Sequence, residues 1–160
     1  MERRTYINAA PSLAITAACV WAWLAHKSFT FDSESHFPDF LLYHFSHANI
    51  LHLAANLMAL LYFRPRLSTS LVAFVCATLS AVPPFMAMDL PTCGLSAFIF
   101  AAYARKYYFW NMPIRGLMLS IAITALIPFV NWKIHLLSFI LSYLFWMAFD
   151  TARTWYKPIS

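Results

Sequence analysis

Charge is scarce in this chain, and so are glycine and cysteine. Of its 160 residues only 11% are Asp, Glu, Lys or Arg, while 62% are hydrophobic. Soluble domains carry roughly a quarter charged residues, so the polar surface needed to coat a globule in water is missing, and a disordered polymer is excluded by the same figures. The three cysteines, Cys19, Cys76 and Cys93, make an odd number and show no CxxC spacing, which excludes a disulfide framework or a zinc ribbon and leaves them as core residues. Glu2 and Glu34 are the only glutamates, so no HExxH zinc site exists. No pair of aspartates lies within an apolar stretch, and the six histidines are too few for a di-iron desaturase. No metal and no cofactor is expected. The net charge of +5 comes from basic residues scattered between apolar segments rather than gathered into a face that could track phosphates, so nucleic acid is not a partner.

What the chain has in abundance is apolar length. Crossing the ~30 Å hydrocarbon core takes about 20 apolar residues in a helix, fewer in shorter or tilted forms. Segments 7–25, 49–63, 67–88, 95–110, 114–130 and 134–149 approach that length, separated by short connectors with turn signals. Pro83 and Pro84 predict a kink near the end of the third segment. Arg3 and Arg4 precede the first segment as in a secretory signal, but Trp21 and Trp23 near its far end suit an interfacial anchor better than a cleavage site. Residues 1–160 therefore read as a single domain, an all-α membrane protein with six transmembrane helices.

Nine of the eleven basic residues fall at the termini or on the second-to-third and fourth-to-fifth connectors. The alternate connectors hold Lys27 and Lys133 with Asp32, Glu34, Asp39 and Asp89. The positive-inside rule then predicts both termini in the cytoplasm. The expected location is an integral, multi-pass position in the plasma membrane of a prokaryote, with the lipid bilayer as an obligate partner.

Polar side chains inside apolar spans are costly and usually functional. Three sets stand out: His47, His52 and Asn56 in and before the second segment, Gly94 and Ser96 at the mouth of the fourth, and His135 at the start of the sixth. His52 and Asn56 are four apart and share one helix face. Counted at 1.5 Å per residue from the cytoplasmic markers Arg64, Trp110 and Asp150, His52, Ser96 and His135 lie about 18, 21 and 22 Å up their helices, a common level. A serine and a histidine at one depth suit a nucleophile and its general base. His52 and Asn56 can offer hydrogen bonds to an oxyanion, beside the Ser96 amide at a helix N-terminus. The 89–94 loop must then dip into the bilayer.

These residues resemble the rhomboid family of intramembrane serine proteases. His47, His52 and Asn56 are similar to its second-helix pattern, Gly94-x-Ser96 with Ala101 to its GxSGxxxA nucleophile motif, and His135 to its sixth-helix histidine; the likeness covers roughly residues 40–150. It implies Ser96 as nucleophile and His135 as base in a dyad without a third carboxylate. It further implies His52, Asn56 and the Ser96 amide as the oxyanion site, and Phe100 as an aromatic ring stacked on the histidine. The implied substrate is a single-pass transmembrane protein. Ala97 stands where the motif has glycine, Ser138 and Ser142 occupy its GxxxG positions, and the first loop has no Trp-Arg motif. Ala97-xxx-Ala101 can still face Ser138-xxx-Ser142 as a small-residue seam. The short six-helix chain equally resembles the rhombosortase branch. The rival classes are a rhomboid-like pseudoprotease that binds transmembrane clients and a small transporter. A pseudoprotease normally loses Ser or His, and a transporter would show repeats that are absent here. His44 and His47 read as structural, bonded to loop carbonyls, and Cys93 lacks the position of a nucleophile.

Overall fold

Helix ends in this chain fall where the sequence supplies a cap or a stop. The computed structural model describes residues 2–27, 37–82, 92–110, 114–126 and 131–155, and every regular element among them is helical. In order these are α1 (Glu2–Leu24), α2 (Phe37–Leu42) with a 3-10 turn (Tyr43–Phe45), α3 (Ile50–Phe63), α4 (Leu67–Ala81), α5 (Ser96–Trp110), α6 (Ile114–Leu126) and α7 (Trp132–Trp155). The six apolar segments correspond to α1 and α3 to α7.

Beyond α1 the backbone closes in a Schellman pattern. His26 takes φ 49°, its N–H reaches the Trp23 carbonyl, and the Lys27 N–H reaches that of Ala22. Asn49 caps α3 by accepting the His52 N–H at 2.9 Å, and Arg64 ends it at φ 42° just before Pro65. The third segment is shorter than its apolar run: α4 stops at Ala81 because Val82 is extended (φ −82°, ψ 133°), the conformation a following proline imposes. The expected kink at Pro83 and Pro84 lies outside the described residues, as does most of the 89–94 loop. In contrast α7 overruns the expected 134–149 at both ends. The helical stretch 37–45 was not anticipated.

Small side chains let α4, α5 and α7 pack most closely. Ala73, Ala77 and Ala81 of α4, Ala97, Ala101 and Ala104 of α5, and Ser138 and Ser142 of α7 are all buried. Helices α1 and α3 lean on this centre, whereas α6 packs mainly on α7. Much of what the helices turn outward is large and apolar, including Leu13, Leu51, Met58, Leu71 and Ile140. Among the described residues one helix, over Trp132–Thr154, is long and apolar enough to cross a membrane, with a mean hydropathy of 1.4; Ala9–Leu24, Ile50–Phe63 and Leu67–Ala81 are shorter apolar helices.

Candidate active site

Ser96 is the first residue of α5, so its N–H is among those with no partner inside the helix. One turn from the start of α7, His135 is buried and turns toward it, with its Nε2 2.7 Å from the Ser96 Oγ. With the proton on Nδ1, Nε2 accepts from the serine hydroxyl. The Nδ1 atom is buried without a hydrogen-bond partner, so among the described residues no carboxylate completes a triad. Phe100, one turn beyond Ser96, lies flat on the imidazole at 4.8 Å between centroids and 1° between planes. This ring belongs to an apolar cluster of Ala104, Tyr107, Ile121 and Phe139, which seats it.

The two helices are held in register by hydroxyls rather than by bare glycine contact. Ser138 donates to the Ala97 carbonyl at 2.9 Å and Ser142 to that of Ala101 at 2.7 Å. The facing expected of the small-residue seam is present, with directional bonds added to it. Above the seam Asn131 donates to the Thr92 hydroxyl at 3.0 Å, tying the residues ahead of α7 to those ahead of α5.

Gly94 brings the second-helix residues to the site. Its φ of +104° is a conformation L side chains rarely adopt, and a Cβ there would lie 2.5 Å from His52 Cε1 and 3.4 Å from Asn56 Nδ2. The glycine thus makes room for both side chains two residues before Ser96. Asn56 is buried, and its Nδ2 has no hydrogen-bond partner, an unspent donor beside this turn. His47 stands behind His52, edge to face at 5.2 Å, with its Nδ1 3.3 Å from the Phe45 carbonyl. All seven residues singled out in the sequence (His47, His52, Asn56, Gly94, Ser96, Phe100 and His135) are thereby connected through a chain of direct neighbours.

His44 departs from its expected role. It is fully buried and meets the Thr78 hydroxyl of α4 at 3.1 Å rather than a loop carbonyl, because the 3-10 turn drives it inward onto that helix. Burial holds its pKa down at about 3. Burial also raises the Cys93 thiol and outweighs the lowering by a backbone hydrogen bond at Ala48, so the thiolate a nucleophile requires is disfavoured there. Among the described residues no group of three or more His, Cys, Asp or Glu is arranged to hold a metal ion.

Tyr43 is the residue that sequence reasoning missed. Its carbonyl accepts the Gly94 N–H at 2.8 Å and its hydroxyl donates to the Ala77 carbonyl at 2.9 Å. A tyrosine in an aromatic-rich chain signals nothing by its type, and a backbone carbonyl carries no residue signature at all.

Comparison with protein-family models, with curated proteins and with solved structures finds no match to this chain.

Proposed function

We propose that this chain is a rhomboid-like intramembrane serine protease that cleaves single-pass transmembrane proteins with a Ser96–His135 dyad. The observation that carries the reading is the 2.7 Å contact between Ser96 Oγ and His135 Nε2, with Phe100 stacked on the imidazole. Nothing in generic helix packing requires a nucleophile, a base and a flat ring to meet in this way.

In the proposed reaction His135 Nε2 takes the hydroxyl proton as Ser96 Oγ attacks a peptide carbonyl. The Phe100 face stabilises the resulting imidazolium, an effect worth about 0.5–2 kcal/mol. Negative charge on the former carbonyl oxygen is met by the Ser96 N–H, the Asn56 amide and His52. As the intermediate collapses, His135 passes its proton to the departing amine; water, activated by the same imidazole, then releases the acyl group from Ser96.

The membrane part of the proposal is a six-helix bundle formed by α1 and α3 to α7, both termini cytoplasmic, in the plasma membrane of a prokaryote. Apolar side chains on the outer faces of the helices and the asymmetry of basic residues along the chain support it. A helix with every amide bonded presents no extended carbonyl, so the substrate is cut in an unwound stretch near its outer end.

The direct test is labelling with a fluorophosphonate, which acylates activated serines. Wild type in detergent is expected to label and Ser96→Ala not to. An unlabelled but folded wild type would turn the reading to a client-binding protein without catalysis.

A further inference from the structure

Far from Ser96, at the other end of α5, residues of α3, α4 and α5 enclose a cavity of about 440 Å³, within the ~300–1,000 Å³ usual for small-molecule sites. Arg64, Arg66, Arg105 and Lys106 line it, and among the described residues no carboxylate does. Arg66 and Arg105, with Arg64 beside them, repel one another across this cavity unless a counter-charge sits among them.

The cavity holds donors with nothing to bond. Thr69 Oγ1 and Arg105 Nε are buried atoms without a hydrogen-bond partner, and Thr69 is only 4% exposed. Helix α4 begins here: Arg66 at its N-cap makes no side-chain cap bond, and the first turn holds no acidic residue. The N–H groups of Leu67, Ser68 and Thr69 are thus without intrahelical partners and carry the positive end of a fifteen-residue helix dipole.

Two of the cations are fixed in place by aromatic rings. The Arg105 guanidinium lies over Trp146 at 4.8 Å and Phe109 at 5.3 Å, and the Lys106 ammonium over Phe63 at 4.9 Å. Fixed cations, an unpaired hydroxyl and a helix N-terminus converging on one space match the needs of a tetrahedral oxyanion.

We propose that this cavity is a phosphate-binding site, filled by the headgroup of an anionic phospholipid or by free phosphate. Its basic residues belong to the connector regions on the side that charge asymmetry assigns to the cytoplasm, the level at which headgroups lie. The proposal does not rest on the Ser96–His135 reading, and either can fail alone.

The test uses the full chain in detergent, with phosphatidylglycerol, phosphatidylcholine and inorganic phosphate as probes. Native mass spectrometry reads the retained adduct and thermal melting reads the shift. Phosphatidylglycerol is expected to be retained and to raise the melting temperature, and phosphatidylcholine to do neither. Arg66→Gln and Arg105→Gln should each weaken retention about tenfold, the size of a lost charged hydrogen bond. Thr69→Val should weaken it by a smaller factor, and Lys27→Gln, an equal charge change elsewhere, should not. Inorganic phosphate that displaces the lipid and shows the same variant sensitivity would make free phosphate the occupant; lipid retention unaffected by phosphate would make it the headgroup. If Arg105→Gln does not fold, the exposed Arg66 and the volume-matched Thr69→Val carry the comparison. Absence of binding by both anions, equal retention of both lipids, or folded variants that bind like wild type would overturn the site.

Discussion

Ser138 donates its hydroxyl to the carbonyl of Ala97, the residue directly after Ser96, at 2.9 Å, and shares it with the His135 carbonyl at 3.0 Å. The hydroxyl therefore bonds to the backbone of His135 itself and to that of Ser96's neighbour. Ser138→Ala is expected to cost about 1 kcal/mol, the net value of a hydrogen bond. Ser138→Val adds bulk to a seam with no space and should cost about 1–3 kcal/mol while separating the dyad. Thermal melting and turnover, measured together, check both; a valine variant that melts and turns over like wild type would show that the seam does not set the spacing.

Ser96→Ala and His135→Ala should each abolish cleavage of a transmembrane substrate with melting near wild type, because nucleophile and base act as a unit. Phe100→Leu keeps the apolar contact but loses the ring face and should reduce turnover about tenfold. A dyad variant retaining more than a few per cent of wild-type turnover would refute the assignment.

The oxyanion assignment and the role of Gly94 can be separated by a mutant cycle. Asn56→Ala and His52→Ala should lower turnover by about 10² to 10³ with binding and melting nearly intact. Gly94→Ala places a methyl 2.5 Å from His52 Cε1 at a φ of +104°, so it should lower both stability and turnover. Adding His52→Ala removes the clash but not the backbone strain, and should recover part of the lost melting temperature. If Gly94→Ala and His52→Ala are simply additive in melting, the steric account is wrong.

Acid should weaken the fold through His44. Its folded pKa of about 3 lies below the value near 6.5 of an exposed histidine, so the unfolded chain takes up the proton first. The contribution is fully present above pH 6.5 and is lost as pH falls toward 3. His44→Gln should flatten the acid limb of a melting-temperature profile between pH 6.5 and 4; an unchanged limb would place the acid sensitivity elsewhere.

Helix α6 packs mainly on α7, which makes it the candidate lateral gate for a membrane-borne substrate. An engineered disulfide tethering α6 to α3 should block cleavage of a transmembrane substrate yet leave fluorophosphonate labelling of Ser96 intact. Unchanged cleavage in the tethered protein would remove α6 from that role.

The parts legible in the sequence were those where a side-chain type conflicts with its surroundings. Ser96 and His135 stand out as polar groups in apolar runs, and their partnership follows from a common level along their helices. Asn49 and Pro65 mark the bounds of α3 through chemistry that acts within a few residues. Less visible was whatever depends on contacts between distant backbone atoms. Ser138 and Ser142 could be read as small, but not as donors aimed at particular carbonyls, since that direction depends on the rotation of two helices about their axes. The 37–45 stretch is too short for a periodic signal, and its place is set by what Tyr43 and His44 touch on α4. Nor does the spacing of Arg64, Arg66 and Arg105 disclose a shared cavity; only the return of α5 past the α3–α4 corner creates one.

Tyr43 joins three parts of the molecule through atoms of a single residue: the 37–45 stretch, the interior of α4 and the turn two residues ahead of Ser96. Such a residue works as a lever arm. Displacing the 37–45 stretch pulls directly on Gly94, while the phenol anchored at Ala77 supplies the pivot. Anything that displaces that stretch has a route to Ser96 through the Tyr43–Gly94 hydrogen bond without touching the serine itself.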